Sequence, residues 1–284
     1  MNTRNYISFD WALKKILRNK SNFEILEWFL SELIKKDIKI NSILESESNK
    51  ESRDDKFNRV DLLAEDKNKD LFIIEVQYNR SLDYLKRILY ATSKTIVENI
   101  SEWEWYKEVK RIISINLLYT AVEKWEDYIY KWKTTFTWLT KRDVLNLSDN
   151  QKKLYKADKI SEVYPEYYMI FINKFDESKE TKSTLEEWVY FFKTDNIRTT
   201  FSAKGIKKAE KKLKILTLTE EEKREYEQHR KQLMHEESLL QSNYIDWRYV
   251  GLEEWMKKME KKLLRNLMKT EWISEQEARR KLWL

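Results

Sequence analysis

The chain has 284 residues, of which 37% are charged, and its 55 Lys and Arg against 49 Asp and Glu give a formal net charge of +6 and a pI near 9.0. That balance suits a polyanionic partner without establishing one. Cysteine is absent, which excludes disulfides and thiolate zinc sites, and the two histidines, His229 and His235, do not share a helical face, which argues against a histidine metal site.

The segment MNTRNYISFDWALKK lacks the apolar core of a signal peptide, and no run approaches the ~20 apolar residues of a membrane span, so a soluble cytoplasmic protein with no membrane partner is expected. Ser8 to Leu17 and Ser21 to Lys36 carry apolar residues at helical spacing. Ser8 and Ser21 are the expected N-caps, the second with Glu24 in a capping-box position. Asn41 to Ser48 alternates as a first strand and puts Glu45 and Glu47 on one face. The charged stretch Asn49 to Asp55 is expected to be a loop.

Arg59 to Glu65 and Leu71 to Gln77 are rich in Val, Leu and Ile, and the polar run from Asp66 to Asp70 between them has turn composition. A hairpin symmetric about Asn68 sets Asp61 opposite Glu75, with Cβ atoms roughly 5 Å apart. Asp61, Glu75 and Gln77 then share one face, while Val60, Leu62, Ala64, Phe72, Ile74 and Val76 share the other, which belongs in a core. Two facing carboxylates repel unless a cation lies between them, and a hard divalent ion resolves this. The competing reading makes both ordinary solvent-facing acids, each near a Lys or Arg.

Ser81 to Ile100 reads as a helix with Lys86, Arg87, Tyr90 and Lys94 at three-to-four-residue spacing. Arg111 to Tyr119 is a continuous apolar run and reads as a buried strand reached by a crossover. The order so far is α-β-β-β-α-β. Tyr128 to Tyr130, Thr134 to Thr137 and Tyr167 to Asn173 read as short strands extending the sheet, and Thr184 to Lys193 as a helix. From Phe201 the composition shifts to Lys-rich and Glu-rich helical stretches, at Lys204 to Leu216, Thr219 to Leu240, Gly251 to Leu267 and Ser274 to Leu282. Two domains are expected, 1–200 and 201–284. The second is either a helical arm for dimerisation or phosphate contact, or a set of solvated mixed-charge helices.

The blocks YISFDWALKKIL, ILESES, RVDLLAED, FIIEVQ, RILYATSK and PEYYMI occur in order between Tyr6 and Ile170. Together they resemble the Rpn family of recombination-promoting nucleases, also described as PD-(D/E)XK nuclease family transposases. Asp61 followed by Glu75, Val76 and Gln77 resembles that superfamily's signature in an E-x-Q variant. The resemblance implies a restriction-endonuclease-like α/β core and a Mg²⁺-dependent DNA endonuclease, with Mn²⁺ as a substitute. It further implies metal ligands at Asp61, Glu75 and the Val76 carbonyl, and Gln77 orienting the attacking water. DNA is the implied partner, and a homodimer would let two sites cut both strands. Asp10, Glu24, Glu45 and Glu47 are candidate accessory acids. Because Gln77 stands where a lysine is usual, Lys86, Arg87 and Lys94 are candidates to contact phosphate or replace the missing charge. The rival function is a nuclease-fold DNA-binding protein of a mobile element with weak or no turnover.

Average usage of about 7% glycine predicts roughly 20 in this length, and the chain has two beside twelve tryptophans. Trp103, Trp105, Trp125, Trp132, Trp138 and Trp272 fall where flanking residues ask for a turn or cap. One reading is that their codons are UGA, translated as glycine in the source organism. The other is a natural Trp-rich chain. Trp11 and Trp188 lie in apolar helical contexts and read as genuine.

Overall fold

Six strands form one mixed sheet in the computed structural model of the chain, in which residues 11–12, 20–44, 61–78, 83–101, 103, 105–119, 125–214 and 218–282 are described. In chain order the elements are α1 (Phe23–Ile34), β1 (Ile40–Leu44), β2 (Leu62–Asp66), β3 (Leu71–Gln77), α2 (Tyr84–Glu98), β4 (Ile112–Leu118), β5 (Ile129–Trp132), α3 (Asp149–Tyr155), β6 (Glu166–Phe171), α4 (Thr184–Thr194), α5 (Ile206–Lys212), α6 (Glu220–Glu271) and α7 (Glu275–Lys281). The sheet order is β1-β2-β3-β4-β6-β5. β3, β4 and β6 run parallel to their neighbours in the centre, and antiparallel pairs flank them. The expected α-β-β-β-α-β core is present.

The turn between β2 and β3 is built by Asp66. Its Oδ1 accepts the amides of Asn68 at 2.9 Å and Asp70 at 2.8 Å, and Lys69 takes a left-handed conformation with φ 69°. This side-chain mimic of a backbone turn fixes the hairpin register.

Alternation along the strands sends Leu62, Ala64, Phe72, Ile74, Val76, Ile113, Ile115 and Leu117 to one face. There they pack with Ile25, Leu26, Phe29 and Leu30 of α1 and Trp188, Phe191 and Phe192 of α4. The opposite face carries Leu63, Leu71, Ile73, Ile112, Leu118 and Met169, which pack with Ile88 and Ala91 of α2.

The chain separates into two compact units, Met1–Tyr226 and Glu227–Leu284. The compositional shift at Phe201 precedes that division. Glu187 of α4 accepts the amides of Ser202 at 2.8 Å and Ala203 at 2.5 Å, and Phe201, Ile206, Ala209 and Leu213 enter the core of the first unit.

Other expectations are corrected. Thr134 to Thr137 is not a strand, and the edge is filled by β5 instead. The N-cap of α1 is Asn22, after a 3₁₀ turn at Lys20–Asn22, rather than the expected Ser21. α3 was not expected, although its Ser148 and Gln151 form a complete capping box. The predicted helices Thr219 to Leu240 and Gly251 to Leu267 are parts of one 52-residue helix, α6. The expected helix Ser8 to Leu17 lies outside the described residues except at Trp11 and Ala12, which are buried. The expected loop Asn49 to Asp55 also lies outside them. Among the described residues no helix is long and apolar enough to cross a membrane.

Candidate active site

Leu62 pairs with Ile74 and Leu63 with Ile73, so the next positions outward are Asp61 and Glu75, as the symmetric turn requires. Asp61 stands one residue before β2, and its Oδ2 accepts the Val76 amide at 2.8 Å. This bond fixes the carboxylate against the end of β3. A strand residue's amide and carbonyl leave on the same edge, so the Val76 carbonyl emerges on the side of β3 that Asp61 occupies. The Val76 side chain belongs to the opposite, apolar face.

Glu75 shares a crevice with Ile73 of β3, with Tyr84, Arg87, Ile88 and Ala91 of α2, and with Ser114 and Asn116 of β4. β3 and β4 pair in parallel with Glu75 beside Asn116. Asn116 is 0% exposed. Its amide donates to Ser114 Oγ at 3.0 Å and to the Tyr168 carbonyl at 3.2 Å. Its Oδ1 and the Tyr84 hydroxyl are both buried without a hydrogen-bond partner.

Burial raises the Tyr84 hydroxyl far above its usual range, with the negative charge of Glu75 next and that of Asp61 adding to it, while Arg87 opposes. Glu75 and Arg87 line the same crevice as this phenol, and Asp61 acts on it through its charge. Gln77 follows on the same strand parity, and its carbonyl accepts the Tyr119 amide at 2.8 Å.

Among the other sequence candidates, Arg87 is brought to Glu75 and the rest are not. Lys86 lines a neighbouring apolar groove of about 360 Å³ with Leu85, Leu89, Trp132 and Met169. Lys94 lies further along α2, paired with Glu98 at 3.5 Å. Glu24 is on α1, which covers the opposite face of the sheet, and it pairs with Lys208 at 2.5 Å. Asp10, Glu45 and Glu47 lie outside the described residues. Ser114 and Asn116 were missed because RIISINLLY reads as a uniformly apolar run, and Tyr84, the first residue of α2, was not singled out. The available signal was that Ser114 and Asn116 keep the same strand parity inside it.

Among the described residues no group of three or more His, Asp or Glu side chains is arranged to hold a metal ion. What converges is two carboxylates and a main-chain carbonyl edge, all hard oxygen donors. Mg²⁺ is bound through one or two carboxylates while keeping several waters, so this donor set fits a hydrated hard cation and does not fit a zinc site with nitrogen or sulfur ligands.

No curated protein and no solved structure shows significant similarity to the chain. The family model for PD-(D/E)XK nuclease family transposases matches residues 7–243, a span that includes the whole sheet and the Asp61–Glu75 pair. With the mixed sheet flanked by helices, this match shows that the chain belongs to the PD-(D/E)XK nuclease family transposases.

Proposed function

We propose that the chain is a divalent-cation-dependent DNA endonuclease of the transposase type, cutting phosphodiester bonds at the Asp61–Glu75 end of the hairpin. The observation that carries this reading is the hairpin register that sets Asp61 opposite Glu75, with Asp61 held by the Val76 amide and Glu75 lining the crevice beside α2. Asp61, Glu75 and the Val76 carbonyl would hold the cation. Bound there, Mg²⁺ or Mn²⁺ would polarise the phosphodiester and make a water acidic enough to attack it.

Gln77 orients that water through its amide and cannot donate a full positive charge. Arg87 supplies the missing charge, since it shares the crevice with Glu75. Lys86 and Lys94 would meet only flanking phosphates and contribute to salt-dependent affinity. A homodimer would bring two such sites to the two strands of a duplex, in a soluble, cytoplasmic protein.

Nicking of supercoiled plasmid in Mg²⁺ tests the reading. Asp61→Ala should abolish detectable nicking, because the cation that would activate the attacking water loses one of its carboxylate ligands. EDTA should do the same to the unaltered protein. Unchanged cleavage by Asp61→Ala would put the site elsewhere. Gln77 in place of lysine favours a second reading, a nuclease fold that binds DNA without turnover. That protein would shift DNA in a gel with or without chelator and never nick it.

A further inference from the structure

The second unit leaves large apolar side chains in water along α6. Ile245, Tyr249, Leu252, Met256 and Leu263 are all exposed, and Met259 is half-buried. Their spacing alternates four and three residues through the whole series, which is the a/d pattern of a coiled-coil seam. At 3.6 residues per turn the six fall within roughly 80° of arc. No charged residue lies in that stripe. Helix α7 does not cover it: Arg279 of α7 pairs with Glu260 at 2.9 Å, and the buried residues among those described in this unit are Leu264 and Ala278, beside the stripe. Exposed contiguous apolar surface of this kind marks an interaction site.

We infer that this stripe is the seam of a parallel two-stranded coiled coil between two copies of the chain. Taking Ile245, Leu252 and Met259 as d positions and Tyr249, Met256 and Leu263 as a positions, the e positions are Asp246, Glu253 and Glu260 and the g positions are Arg248, Trp255 and Lys262. In a parallel pair each g residue faces the e residue of the next heptad in the other strand, so Arg248 of one copy meets Glu253 of its partner. An antiparallel pair would set e against e and g against g, which is acid against acid and cation against cation. Charge complementarity therefore selects both a second copy as occupant and a parallel alignment. This inference does not depend on the nuclease chemistry, because a catalytically dead chain would dimerise equally well.

Sedimentation of the full chain should give a dimer at micromolar concentration. Leu252→Glu combined with Met256→Glu should convert it to a monomer that retains its helical circular dichroism. Arg248→Glu should weaken association at least tenfold, and adding Glu253→Arg should restore it. Because the chain contains no cysteine, Ile245→Cys provides a clean probe. In the parallel coil the two introduced thiols face each other and mild oxidation should yield a covalent dimer, whereas an antiparallel coil places Ile245 opposite the Leu263 end. A monomeric full chain, a dimer that survives the double-glutamate variant, or a dimer in which Ile245→Cys fails to cross-link would each overturn the inference.

Discussion

Trp188 and Trp272 show how differently the two units treat the same side chain. In the first unit Trp188 is 0% exposed, wedged among Phe29, Phe191 and Phe192 at ring-centroid distances of 5.9–6.4 Å. In the second, Trp272 is 92% exposed and sits past the end of α6 with φ 55°. The first unit packs side chains such as Trp188 around a core built on its sheet, whereas the second leaves a run of large apolar side chains along α6 in water. Removing Trp188 should therefore have the largest consequence for folding. Trp188→Ala leaves a cavity among rigid aromatic neighbours, for which about 3–5 kcal/mol of destabilisation is expected. Trp188→Phe should cost much less, because the indole N–H it removes has no hydrogen-bond partner. Denaturant midpoints of both variants check this, and a mild Trp188→Ala would erase the contrast between the units.

Charges follow the same division. In the second unit the ion pairs are on the surface, as with Arg279 and Glu275 at 3.1 Å. In the first, Arg111 joins Glu166 at 2.6 Å and Asp70 at 3.5 Å at the base of the central strands. Asp70 is pushed up to about 6 from the ordinary 3.8, mainly by burial and then by the charge of Asp66, with Arg111 opposing. An acid whose folded pKa exceeds its unfolded value binds its proton more tightly when folded, so the contribution of Asp70 to stability is fully present below about pH 4 and is lost as pH rises through about 6. The difference corresponds to on the order of 3 kcal/mol. Asp70→Asn should recover part of that at pH 8 and almost none at pH 4, with the lost Arg111 contact reducing the gain. Thermal midpoints at the two pH values check it, and equal shifts at both would remove Asp70 as the cause.

How much of this could be read from the residues alone follows from the range of each interaction. The hairpin register was legible because Asp66 and its neighbours specify the turn within five residues, and the turn then dictates that Asp61 meets Glu75. The strand order β4-β6-β5 was not, since it depends on partners such as Leu117 and Ile170 far apart in sequence. Asn116 was overlooked because its significance lies in Glu75 standing beside it across the sheet. By contrast α3 announced itself in Ser148 and Gln151 and could have been found. The gap expected between Leu240 and Gly251 is absent, since α6 runs unbroken through it and Gly251 does not open a helix. Nothing lies within 4 Å of where its Cβ would be, so that glycine serves no turn or close approach and merely rides in an exposed helix.

Trp272 provides the smallest test and bears on the shortage of glycine. A helix C-terminus commonly ends in a left-handed residue, and glycine is the usual occupant because it has no Cβ to strain. Trp272 holds that conformation between Glu271 of α6 and the capping box that Ser274 forms with Glu277 at the start of α7. Of the other tryptophans read the same way, Trp103 and Trp105 are also exposed, while Trp125 packs against Phe171 at 4.9 Å. Trp272→Gly should stabilise the second unit by about 1 kcal/mol, since a non-glycine residue in the left-handed region costs of order 1–3 kcal/mol and the exposed indole returns little of it. Trp125→Gly should instead destabilise the first unit by emptying its place beside Phe171. If Trp272→Gly lowers the melting temperature of the helical unit, tryptophan is the residue that fits there. If it raises it, the position asks for glycine, and the codon at 272 should be UGA.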